Sequence, residues 1–405
     1  MTVFKRVLIA GLSLLLLSGC WNRIELNEIA ITSATGYDRS GDDWVATYQF
    51  IVPSSITSNT GGGAGASQPA VHVFSTTGST ITEAANLSNL ENPRTLYFAH
   101  NNTVIIGKKA MEHGIQQLMD RYFRGADSRE TVWVLLTDQK AGDILRKAIP
   151  PEKVPGSSIA QILLKEKRIS SIFPPITILD YASKMNSDAK AIGIPIINTA
   201  GIDNPENEKK LESLDIYKEL SPPLKIRLTE LGVIKNDRLI GRMNREESRG
   251  LSWITNKVNG TVLSIPSSEL RQKKDISIEV ISSKTKLKPI KVGYHYNMDV
   301  HVKVKANLSE SGSRLDLSKN KIIKIVEHQA ARQITKEINS SWEVMQQLGA
   351  DLGGFADLIH KKNPNEWKEL KAEWEKEFKK MELNVHVNVI IKRPGLFQNS
   401  FRNLE

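Results

Sequence analysis

Cysteine is nearly absent: Cys20 is the only one in 405 residues. That excludes an intrachain disulfide and any cysteine-based zinc cluster. Long apolar runs are missing as well. No segment reaches the roughly 18 consecutive apolar residues that mark a membrane-spanning helix. The eight histidines (His72, His100, His113, His295, His301, His328, His360 and His386) include no H-E-x-x-H or comparable metal spacing. There is no G-x-S-x-G nucleophile elbow and no Walker loop. The adjacent acids Asp42-Asp43 and Glu246-Glu247 point apart rather than across a cleft. No catalytic, metal or cofactor site is therefore expected. Concentrated charge of one sign is also lacking. The formal net charge is +10, but Lys and Arg are interleaved with Asp and Glu. The pattern reads as solvated surface, with no nucleic-acid motif behind it.

What is present begins at the N-terminus. Lys5 and Arg6 form a positive flank, and Val7–Leu17 (VLIAGLSLLLL) is an apolar run. It is too short to span a bilayer and has the length of a secretory signal peptide. Leu17-Ser18-Gly19-Cys20 follows. An aliphatic residue, two small residues and a cysteine make a lipobox. The small side chains fit a peptidase cleft, and the thiol accepts diacylglycerol as a thioether. The mature chain is expected to begin at Cys20, lipid-anchored outside the cytoplasmic membrane. A lipidated sulfur cannot act as a nucleophile. Trp21, next to the lipid, suits the headgroup interface.

Residues 45–52 and 71–75 read as strands joined by a hairpin whose tip, residues 58–69, is rich in glycine. Gly61, Gly63 and Ala66 loosely fit a phosphate loop, but no helix opens after them. Thr80 and Glu83 predict a helix start. Strand 103–107, a helix carrying Met111, Ile115, Leu118 and Tyr122 on one face, strand 131–137 and helix 141–148 predict a β-α-β unit in a mixed sheet. Lys235-Asn236-Asp237 signals a hairpin, and Asn244 with Glu247 a capped helix. Period-two alternation at Ile276–Val280, Met298–Val304 and Leu383–Val389 predicts strands with one wet face. Between them lie a long helix over 318–347 and a second one carrying Trp367, Leu370, Trp374 and Phe378. The expected class is α+β with mixed α/β character. It comprises a signal peptide (1–19), an N-terminal mixed α/β domain (20–200), a small middle domain (201–270) and a C-terminal antiparallel sheet covered by the two helices (271–405).

Cys20-Trp21-Asn22-Arg23-Ile24-Glu25-Leu26-Asn27-Glu28 resembles the start of the mature Ger(x)C spore germination lipoproteins, the C subunits of nutrient germinant receptors. Further matches are Leu96–Asn101 leading into Val104–Gly107, then Arg124 and Arg129. Leu239–Leu251, with its Glu-Ser-Arg-Gly core, follows, and then Trp367 and Trp374. The resemblance covers essentially the whole mature chain. It singles out Cys20 for lipidation, and Trp21, Arg23, Glu25, Leu26, Asn27, Glu247, Arg249 and Gly250 as motif or partner residues. The glycine-rich tip departs from the family pattern, and Asp351–Phe355 follows its Asp-aromatic-Gly turn only loosely. The resemblance implies three domains and a non-enzymatic subunit on the outer face of the spore inner membrane. Covalent lipid on Cys20 is the only attached group it implies. Its implied partners are an A-type membrane subunit, a B-type subunit similar to amino-acid transporters, and a small-molecule germinant bound by the complex. A solute-binding lipoprotein of a transport system is the alternative. That class has two similar α/β lobes, and no second such lobe is apparent. A cell-wall hydrolase, the third possibility, finds no supporting motif.

Overall fold

A computed structural model describes residues 28–53, 69–125, 127–201, 205–222, 224–267, 274–312 and 319–393, together with Phe4 and Leu317. The first part builds one large sheet. In chain order its elements are β1 (Ile29–Ser40), β2 (Asp43–Ile51), β3 (Val71–Gly78), α1 (Ile81–Leu87), β4 (Thr95–Tyr97), β5 (Thr103–Gly107), α2 (Lys108–His113) and α3 (Gln116–Arg124). Then come β6 (Trp133–Thr137), α4 (Ala141–Arg146), α5 (Pro155–Lys165), β7 (Ile176–Thr177), α6 (Ile178–Met185), β8 (Ala191–Gly201) and α7 (Pro205–Glu212). The strand order is β10-β9-β8-β6-β5-β1-β2-β3, with β4 beside β1 and β7 beside β6; β9 (Leu224–Lys235) and β10 (Arg238–Met243) close the far edge. β1, β5, β6 and β8 run parallel in the centre, and antiparallel hairpins flank them.

The parallel centre dictates the composition of its strands. Every residue of β5 (TVIIG) is buried, because helices cover both faces. On one face Met111, Ile115, Leu118 and Tyr122 pack with Tyr181. On the other, Ala141, Ile144 and Leu145 of α4 and Ile159 and Leu163 of α5 do so. The expected single helix through Met111 and Tyr122 is two helices, α2 and α3. Gly114 separates them at φ +97°, and Asp237 from the β9–β10 turn fills the break.

The segment 201–270, expected as a middle domain, is divided between two sheets. Its hairpin β9–β10 pairs with β8, because an isolated two-stranded ribbon cannot bury a face. Residues 205–218 fold back onto the first sheet through a small cluster of Leu211, Ile216 and Leu224 and the ion pair of buried Lys147 with Glu208. Helix α8 (Arg245–Ile254) packs into the core of the second sheet, whose first strand is β11 (Thr261–Pro266).

The second sheet runs β11-β12-β13-β14, with β12 (Lys274–Val292), β13 (His295–Ser311) and β14 (Leu383–Arg393). The expected antiparallel pairing holds for β12–β13, but β14 is parallel to β13, and β11, from the segment expected as a middle domain, adds an antiparallel strand beside β12. A parallel return needs a long crossover. The 29-residue helix α9 (Asn320–Leu348), α10 (Phe355–Lys362), α11 (Pro364–Leu370) and α12 (Trp374–Lys380) supply it. Ile276, Ile278, Val280, Met298, Val300, Val302 and Val304 face Val326, Ala330, Ile334 and Ile338 of α9. The four-residue spacing drifts round the helix, so its stripe passes to Trp342 and Met345 at the far end. Trp342 there meets Phe355 and Phe378. The expected second helix is broken up: Pro364 starts α11, and a 3-10 turn over Lys371–Glu373 separates it from α12. Among the described residues no helix is long and apolar enough to cross a membrane.

Candidate functional site

Cys20, Trp21, Arg23, Glu25, Leu26 and Asn27 lie outside the described residues. The carbonyl of Glu28 accepts the Thr95 N–H at 2.9 Å, and Ile29–Ile31 pair in parallel with β4. The next motif, Leu96–Asn101, holds this start in place. Leu96 and Phe98 are buried, and Asn101 Nδ2 donates to Thr35 Oγ1 and to the Tyr122 hydroxyl, both at 3.0 Å. Burial pushes the Tyr122 hydroxyl well above its ordinary pKa, which keeps it protonated in this network.

The Glu-Ser-Arg-Gly motif forms a seam between α8 and α9. Asn244 Oδ1 accepts the N–H groups of Glu246 and Glu247, and Glu247 Oε2 accepts the Asn244 N–H at 2.7 Å. The predicted capping box is thus complete. Ser248, fully buried, donates to the Met243 carbonyl. Arg249 grips Glu337 of α9 side-on with one edge of its guanidinium, Nε donating to Oε2 at 2.8 Å and Nη2 to Oε1. Glu337 is 0% exposed and also accepts from Trp253 Nε1 and Gln333 Nε2, each at 2.9 Å. Gly250 lets the helices touch: a Cβ there would stand 2.0 Å from the Glu337 carbonyl oxygen. The sequence flagged Glu247, Arg249 and Gly250. It could not show Glu337 as the residue that Arg249 and Gly250 meet, because that partner lies far along the chain.

Two further carboxylates organise joints that the sequence did not reveal. Asp237 Oδ2 accepts the Ile115 and Gln116 N–H groups at the start of α3, and Oδ1 accepts the Tyr181 hydroxyl at 2.5 Å. Burial, then the bond to Asp237, drives the Tyr181 pKa far up. Asp351 caps α10 by accepting the N–H groups of Phe355 and Ala356. Its burial raises its pKa to about 6, against the lowering effect of those two bonds. Arg242, from the same motif segment, joins Asp138 and Glu230, and its hydrogen bonds hold the Asp138 carboxyl below the usual range.

A cavity of 430 Å³ lies elsewhere, between β3, α4 and the 205–218 excursion, lined by Val71, Val73, Leu145, Pro155, Leu211 and Tyr217 among others. It is largely apolar with Arg146 and Lys153 at its wall, and no flagged residue reaches it. His301 and His386, adjacent in register on β13 and β14, stack at 4.8 Å and stand with Asp299 close enough to share a metal ion. Sequence spacing missed this grouping because only the parallel pairing of two distant strands creates it.

Comparison with known proteins follows this two-part architecture. Residues 22–199 match the family model described as the spore germination protein N-terminal domain. Residues 229–395 match the model described as spore germination B3/GerAC like, C-terminal. Spore germination protein KC of Bacillus subtilis (strain 168) is 29% identical over 401 residues, covering 97% of this chain and 96% of that protein. Spore germination protein A3 of the same organism is 22% identical, covering 96% and 98%. The crystal structure of the GerBC protein superposes with a TM-score of 0.54 at 16% identity, over 91% of this chain and 100% of that one. At that identity the likeness establishes a shared fold.

Proposed function

The chain belongs to the Ger(x)C family of spore germination proteins, and from that premise we propose that it is the lipid-anchored, non-enzymatic C subunit of a nutrient germinant receptor. It works in the spore inner membrane, on the outer face, in a complex with A-type and B-type membrane subunits. The observation that carries this reading is the lipobox cysteine placed just ahead of a chain that is a family member along both halves. The physical arrangement agrees with it. Only the residues from Cys20 to Glu28 separate the lipid from a strand inside the first sheet, a reach of at most about 32 Å. An anchor that short holds the folded body close to the bilayer, within reach of membrane partners. The buried carboxylates described above are engaged in capping or pairing, which supports a scaffold role.

The test is Cys20→Ala in spores of the producing organism. The variant should leave the inner-membrane fraction and respond poorly to nutrients. Normal germination with the variant still membrane-bound would defeat the anchor reading.

A further inference from the structure

The outer face of the second sheet carries chemistry that a germination scaffold does not require. We propose that Asp299, His301 and His386 form a binding site for one zinc-class divalent transition-metal ion. His301 and His386 face each other in register on parallel β13 and β14, with ring planes 15° apart. Asp299 precedes His301 by two residues and so shares its face of the sheet. One ligand atom from each of the three lies within 4.8 Å of the others. A tetrahedral ion with bonds of about 2.1 Å needs ligand atoms about 3.4 Å apart. On binding, the three side chains would rotate to draw their ligand atoms together. Asn384 Nδ2 donates to Asp299 Oδ1 at 3.0 Å, which already orients the carboxylate.

The surroundings select the kind of ion. Lys286 and Lys288 of β12 oppose His301 and Asp299 in register, and Lys284 opposes Lys303. Calcium and magnesium bind through charge and several oxygen ligands. One carboxylate among these ammonium groups cannot supply that. Imidazole donation to a zinc-class ion depends less on net charge. The three residues leave a coordination position open, and the ion would clip the edge strand β14 to β13. None of this depends on the receptor assignment, since binding is read on the isolated chain.

The test is calorimetric titration of the full-length chain in detergent with Zn²⁺, beside Ca²⁺ at the same concentrations. The expected result is one Zn²⁺ per chain and no Ca²⁺ heat. His301→Gln and His386→Gln should each weaken zinc binding at least about 100-fold, while Asn384→Ala, which only loosens the hold on Asp299, costs about tenfold. Zinc should raise the melting temperature of the wild type and not of Asp299→Asn, which keeps the test decisive if a histidine variant folds poorly. No saturable zinc binding by the wild type would overturn the proposal. So would stoichiometric binding that survives both histidine changes, or Ca²⁺ binding with equal stoichiometry.

Discussion

Replacing Arg249 with Ala is expected to be among the most damaging single changes in the protein. Glu337 is fully buried, and its charge is balanced by the bidentate grip of Arg249. Without the guanidinium a carboxylate is left buried with two neutral donors, Trp253 Nε1 and Gln333 Nε2. Breaking such a pair costs about 3–5 kcal/mol. Removing both partners, as Arg249→Met with Glu337→Met, leaves no buried charge; the fully buried Trp253 Nε1 loses its acceptor at about 1–3 kcal/mol, while half-buried Gln333 can turn to water. The double variant should therefore be more stable than Arg249→Ala. Arg249→Lys should fall between wild type and Ala, because an ammonium cannot reproduce the planar fork. The assay is urea unfolding of the full-length chain followed by tryptophan fluorescence. Trp253 itself donates to Glu337 and reports directly on the seam. An Arg249→Ala cost below about 1 kcal/mol, or a double variant as costly as the two single changes summed, would refute the reasoning.

Gly250→Ala should destabilise by about 3 kcal/mol or more, since its Cβ falls 2.0 Å from backbone that only helix separation can move; the same urea assay reads it. Asp237→Ala removes the acceptor of two helix N–H groups and a buried tyrosine hydroxyl and should cost about 2–4 kcal/mol. A melting temperature equal to that of wild type would contradict the role of Asp237 as a joint. Asp351 gives a pH signature. Its folded pKa of about 6 lies above the ordinary 3.8, so the folded state binds the proton more tightly. Its contribution is full below pH 4 and is lost as pH rises through about 6. Measured against Asp351→Asn, the wild type should gain roughly 2.5 kcal/mol between pH 7 and pH 4; a pH-independent difference between the two would count against it.

Local rules carried much of the architecture into the sequence. The Asn244–Glu247 box is present as expected, and the alternation at Ile276–Val280 and Met298–Val304 marks buried strand faces. What the sequence concealed was non-local. Nothing near Leu383–Val389 tells whether that strand joins its neighbour parallel or antiparallel; the length of the crossover decides it. The β9–β10 hairpin reads as a unit on its own, yet it completes a sheet whose first strand begins at Ile29. The motif residues Arg249 and Gly250 drew notice for their family pattern, whereas Glu337, which explains both, sits in a helix with no distinguishing local signal. The His301–His386 pair was invisible for the same reason: strand register, not spacing, brings the two rings together.

The central claim, that this chain is a receptor subunit held at the spore inner membrane, is tested most directly by co-purification. A tagged full-length chain would be drawn from detergent-solubilised inner membranes of spores and its companions identified. The account predicts that the A-type and B-type membrane subunits of one germinant receptor accompany it. Recovery of the chain alone, from membranes in which those subunits are present and intact, would contradict it.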